Sequence, residues 1–170
     1  MTGPVLVLVG PPGAGKSTVG AAVAGRLGVA FRDTDADVEA AAGKAVSDVF
    51  VDDGEAAFRA LERAAVARAL QEHDGVLSLG GGAVLDAGTR QLLAAHHVVL
   101  LDADLGAAAS RVGMGQGRPL IGLNPRAQLR QLLQERRPLY LEVARDVVVT
   151  SALTPVQVVE QVVSLIDTAG

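Results

Sequence analysis

The sequence predicts an α/β fold of three layers, α/β/α, in which a five-stranded parallel sheet is covered by helices on both faces. Five short apolar runs, at residues 5–9, 29–31, 76–79, 98–101 and 147–150, alternate with stretches that read as helices. Strands and helices alternating in this way close into a parallel sheet through right-handed crossovers. The first run leads straight into Gly10-Pro11-Pro12-Gly13-Ala14-Gly15-Lys16-Ser17-Thr18, which fits the phosphate-loop pattern GxxxxGK[ST]. A strand, a tight glycine loop and a helix start are written there in one stretch. The 170 residues, 49% of them apolar, can bury a full core and are expected to form one domain, residues 1–170.

After the loop, residues 17–27 carry apolar and small residues at helical spacing and stop at Gly28, a C-terminal cap. Residues 29–31 form a second strand that delivers Asp33 and Asp35 at its carboxyl end, the edge where open α/β sheets bind ligands. Helices follow at 35–42, 45–50 and 54–72, the last carrying Phe58, Arg59, Leu61 and Glu62. The strand at 76–79 runs into Gly80-Gly81-Gly82, where the missing side chains let another molecule approach the backbone. A helix at 89–95, the strand at 98–101 and a helix at 105–112 continue the alternation. Residues 113–125 hold four glycines and two prolines around Arg118, too loose for an element and long enough for a mobile lid. A helix at 126–140 places Arg136 and Arg137 before a helix-ending proline, Pro138. The strand at 147–150 and a helix opened by Thr154-Pro155 and reaching Asp167 complete the chain.

Composition narrows the partners. A net charge of −4 leaves no basic surface for nucleic acid. With no cysteine, disulfides and thiolate metal sites are excluded. Residues 5–9 are far too short to span a bilayer, and no charged n-region or cleavage site precedes them, so a cytosolic (cytoplasmic) location with ATP at hand is expected. Only Lys16 and Lys44 are lysines, which leaves the remaining cationic work to arginine.

In the loop, Gly10, Gly13 and Gly15 let backbone N–H groups turn inward, and the helix start adds its positive dipole end. Gly13, Ala14, Gly15, Lys16, Ser17 and Thr18 are therefore the nucleotide-phosphate ligands expected, with Lys16 reaching the β/γ-phosphates and Ser17 ligating Mg²⁺. Asp33 and Asp35 can serve Mg²⁺ or a substrate hydroxyl, or cap the next helix. Arg59 and Glu62 lie three apart on a helix and could be an ordinary surface pair. Gly80 to Gly82 read as a ligand contact rather than a bare linker.

The loop, Asp33-Thr34-Asp35, Phe58-Arg59-Ala60-Leu61-Glu62, Leu79-Gly80-Gly81-Gly82-Ala83-Val84, Arg118-Pro119-Leu120 and Arg136-Arg137-Pro138-Leu139-Tyr140 together resemble shikimate kinases in order and spacing, over essentially the whole chain. The resemblance implies a phosphate-loop NTPase fold of the nucleoside monophosphate kinase type, with a shikimate-binding region at about 33–62 and a lid at about 113–125. It implies ATP and Mg²⁺ as cofactors, shikimate as acceptor, and a monomer. By the same resemblance, Asp35 holds shikimate hydroxyls and is the candidate base, and Arg59 and Arg136 grip the carboxylate. Gly80, Gly81 and Gly82 pack against the ring, Arg118 closes on the transferring phosphate, Arg111 lies near adenine, and Asp33 holds Mg²⁺ through water. A gluconate-type kinase and a nucleotide-dependent switch without turnover are the competing readings. The triple glycine with Arg59 and Arg136 discriminates against the first, and a carboxylate pocket against the second.

Overall fold

The structure is a computed structural model that describes residues 3–103 and 125–169. Strands β1 (Leu6–Val9), β2 (Phe31–Asp33), β3 (Val76–Ser78), β4 (Val98–Asp102) and β5 (Asp146–Val149) form one sheet in the order β2-β3-β1-β4-β5. All pairings are parallel, with Leu6 opposite Val76, Val7 opposite Val98 and Leu100 opposite Val147. Seven α-helices are described: α1 (Lys16–Leu27), α2 (Thr34–Ala42), α3 (Val46–Asp53), α4 (Glu55–Glu72), α5 (Ala87–Leu93), α6 (Pro125–Val143) and α7 (Pro155–Ala169).

The strand pleat sorts the core. Leu6 and Leu8 of β1 face one side with Val19 and Val23 of α1 and Val158 and Val162 of α7. Val7 and Val9 face the other, with Val66 of α4, Leu93 of α5 and Tyr140 of α6. Burial on both faces is why β1 reads as an unbroken apolar run. A third cluster, Val38, Val46, Val49 and Phe58, joins α2, α3 and α4 away from the sheet. The chain leaves β1 in one direction towards β2 and β3 and later returns on its other side as β4. The carboxyl end of β1 is thus the topological switch point where open sheets hold ligands.

Three expectations need correction. The second strand lies at Phe31–Asp33 rather than 29–31, because Val29 N–H closes the end of α1 on Ala24 O. Its charged Arg32 is accommodated at the sheet edge by Asp37 at 2.8 Å and Glu72 at 3.3 Å. The hydrogen bond to Asp37 holds the Arg32 guanidinium above its ordinary pKa. Residues 83–85 form a short 3₁₀ turn, so α5 starts at Ala87, capped by Asp86, whose side chain accepts from Thr89 N–H. Pro138 does not end its helix: α6 continues to Val143, since Tyr140 and Val143 are buried in the core and hold the following turn in place. The helix expected at 105–112 and the lid residues up to 124 lie outside the described residues.

Candidate active site

The phosphate loop joins β1 to α1. Gly13 and Gly15 adopt φ of 81° and 91°, a region closed to most side chains, and this is what turns the loop's N–H groups towards one centre. Lys16 opens α1, and its Nζ donates to Gly10 O at 2.8 Å and Pro11 O at 3.0 Å, which holds the charge at the loop's mouth. Ser17 Oγ donates to Asp33 Oδ2 at 2.8 Å. Asp33 has two jobs: its Oδ1 accepts Asp35 N–H at 2.9 Å and caps α2, while its Oδ2 faces the loop. Both readings of Asp33, cap and loop-side carboxylate, are therefore compatible with one side chain.

Asp35, in the first turn of α2, lies against Gly80. A Cβ at Gly80 would stand 2.6 Å from Asp35 Oδ1 and 2.9 Å from Glu62 Oε2. At Gly82 it would stand 2.7 Å from Arg59 Cζ, and at Gly81 3.0 Å from Pro12 Cδ. None of the three glycines has left-handed backbone, so their requirement is space. That space is bordered by the protein's own Asp35 and Glu62 at Gly80, Pro12 at Gly81 and Arg59 at Gly82. The Arg59–Glu62 pair is not a surface pair, because Glu62 is 4% exposed and its Oε1 accepts Arg59 Nη1 at 2.7 Å. Arg59 also bonds Glu55 at 3.4 Å, and its Cζ lies 5.1 Å from the Phe58 ring centroid and 5.9 Å from that of Phe50. Two carboxylates and two rings thus fix a guanidinium with five donors, leaving part of its fork for a ligand.

Tyr140 Oη donates to Gly81 O at 2.6 Å and is buried. Arg136, half-buried, precedes Tyr140 by one helical turn and so lies on the same face of α6 as the side chain that bonds Gly81 O. Arg111 and Arg118 lie outside the described residues.

Two residues escaped the sequence reading. Thr34 is fully buried; its hydroxyl accepts Gly80 N–H at 3.3 Å and donates to Ser78 O at 3.4 Å, joining α2 to the glycine segment. A threonine between two aspartates carries no signal for a contact 46 residues away. Thr150 is buried at the end of β5, its hydroxyl without a hydrogen-bond partner among the described residues. It lines a cavity of about 150 Å³ with Ala14, Gly15, Thr18, Leu153 and Pro155, directly beside the phosphate loop. A wider cleft of about 720 Å³, lined by Arg90, His96 and Glu142, lies at the amino ends of β4 and β5, far from these residues.

A phosphate loop at the switch point, with cations and carboxylates gathered at the same sheet edge, defines a phosphoryl-transfer enzyme with a small anionic acceptor. A model of the shikimate kinase family matches residues 12–167. The shikimate kinase of Streptomyces avermitilis is 55% identical over 167 residues, covering 98% of each chain. That of Salinispora arenicola is 58% identical, covering 96% of this chain and 98% of its own. A solved structure of shikimate kinase from Acinetobacter baumannii, in complex with shikimate, superposes with a TM-score of 0.92 at 33% identity, covering 99% of this chain and 95% of that one. The likeness to a gluconokinase from Sinorhizobium meliloti, TM-score 0.55 at 20% identity, shows a shared fold alone. The chain belongs to the shikimate kinase family and is an ATP-dependent kinase.

Proposed function

We propose that this chain transfers the γ-phosphate of ATP to the 3-hydroxyl of shikimate, giving shikimate 3-phosphate and ADP on the route to chorismate and the aromatic amino acids. The observation that carries the reading is the convergence of Asp35, Arg59 and Glu62 on Gly80 to Gly82 beside the phosphate loop. Arg59 and Arg136 take the carboxylate, and Asp35 the hydroxyls. The acceptor oxygen attacks the γ-phosphorus, its proton passes to Asp35, and the bond to the β-phosphate oxygen breaks. Gly13 to Thr18 hold the phosphates, with Lys16 neutralising charge on the β- and γ-phosphates. Ser17 and Asp33 fit Mg²⁺: two hard oxygen groups lie in contact at the loop, and this cation keeps most of its waters. When bound, Mg²⁺ neutralises phosphate charge. The base of ATP is assigned to the cavity at Thr150 and Pro155, and the resemblance gives Arg111 the role of an adenine contact and Arg118, in the lid at about 113–125, that of a ligand of the transferring phosphate.

Residues 33–62 supply the acceptor region of a single domain, 1–170. The unit proposed to act is a monomer. No helix among the described residues is long and apolar enough to cross a membrane, and the ATP requirement suits the cytoplasm. ADP release measured with ATP and Mg²⁺ should be fast with shikimate and near background with gluconate or no acceptor. Equal turnover with gluconate, or acceptor-independent hydrolysis, would overturn the assignment.

A further inference from the structure

We infer that Arg137 is a positioning residue for the acceptor site, its ion pair with Asp102 fixing the turn of α6 that carries Arg136. The inference rests on the reading of Arg136 as a carboxylate ligand. Arg137 Nη1 lies 2.9 Å from Asp102 Oδ1 and 2.7 Å from Oδ2. Asp102 is the last residue of β4, and its carbonyl accepts Thr150 N–H at 3.0 Å, which ties the end of β4 to the end of β5. One residue earlier, Leu101 O packs so closely on the loop that a Cβ at Gly10 would stand 2.5 Å from it. Asp102 is thus a fixed point at the rim of the phosphate loop.

The helix α6 needs such a point because of Pro138. Proline has no N–H, so the bond to the carbonyl of Gln134 is missing and the turn holding Arg136 and Arg137 is coupled loosely to the turn after it. Past the proline, Tyr140 is fastened to Gly81 and Val143 is buried. Before it, Arg137 is fastened to Asp102. Arg136 directly precedes Arg137 on the same side of the proline, and losing the Arg137 tether leaves its side chain to be ordered at the expense of binding energy. Asp102 also neutralises the cation next to Arg136, so that the two adjacent guanidinium groups do not repel unopposed.

The test is steady-state kinetics, with KM for shikimate and for ATP and kcat taken separately, together with thermal unfolding. The variants are Arg137→Ala, Arg137→Lys, Asp102→Asn, Arg136→Ala and the double Arg136→Ala/Arg137→Ala. Arg137→Ala and Asp102→Asn should each raise the shikimate KM about fivefold, the worth of one partly exposed ion pair, with smaller changes in ATP KM and kcat. Arg137→Lys should recover most of the loss, and Arg137→Ala should add nothing once Arg136 is alanine. A lowered Tm with shikimate KM within about twofold of the parent would reduce Arg137 to a structural role and overturn the inference. An equal rise in the Arg136→Ala background would do the same. Arg136→Ala with parental shikimate KM refutes the carboxylate reading and the inference with it, whereas a raised value there beside parental Arg137→Ala refutes the inference alone.

Discussion

At Gly82 a methyl group would meet the Arg59 guanidinium, and at Gly80 the carboxylates of Asp35 and Glu62. The two substitutions should therefore separate by readout. Gly82→Ala displaces Arg59 and should raise the shikimate KM as Arg59→Ala does, by roughly thirtyfold if a desolvated charged contact of about 2 kcal/mol is lost. Gly80→Ala disturbs Asp35 and should lower kcat further than it raises KM. Kinetics that move alike in both would mean that the glycines serve the backbone and not these side chains. Lys16→Met should keep the parental Tm and lose about a hundredfold or more in kcat, measured by ADP release, because its ammonium lies over loop carbonyls and not in the core. The sequence made the need for space at Gly80 to Gly82 legible. It did not show which side chains border that space, since a contact from Gly82 to Arg59 is set by tertiary packing that local pattern does not carry. The cap reading of Asp33 is met by its Oδ1, while its Oδ2 accepts from Ser17 and the Mg²⁺ role stays a proposal.

Elements were legible where the pattern was local and went astray where packing overrode it. Gly28 ends α1 with φ of 70°, as its position after an apolar helical stretch predicts. Pro138 reads as a stop by propensity, yet burial of Tyr140 and Val143 carries α6 through it. Two variants test this balance. Tyr140→Phe removes the 2.6 Å bond to Gly81 O from a buried site and should cost about 1–3 kcal/mol, lowering Tm by several degrees in a chain of this size. Pro138→Ala restores a backbone donor on an exposed turn and should raise Tm. A fall in Tm for Pro138→Ala would show that the proline ring itself packs favourably, against the account given for α6.

Across the molecule, the sheet and its two helical layers are held by two large clusters, while α2, α3 and α4 add the small one of Val38, Val46, Val49 and Phe58. Fewer buried apolar groups mean a lower opening free energy, so the α3 amides, Val46–Asp53, should exchange with solvent faster than those of β1. The proposed acceptor residues Asp35 and Arg59 stand on α2 and α4, either side of α3 in the chain, so shikimate should close this unit as it binds. At a concentration about a hundred times Kd the linkage is worth about 2.7 kcal/mol, a slowing of α3 exchange by about a hundredfold if opening releases the ligand. Hydrogen exchange followed by mass spectrometry, with and without shikimate, reads this directly, and Arg59→Ala supplies the control in which the slowing should be lost. If the α3 amides instead exchange at the rate of β1, α2 to α4 open only with the whole fold. In that case the acceptor unit is as rigid as the sheet, and shikimate binds a preformed pocket.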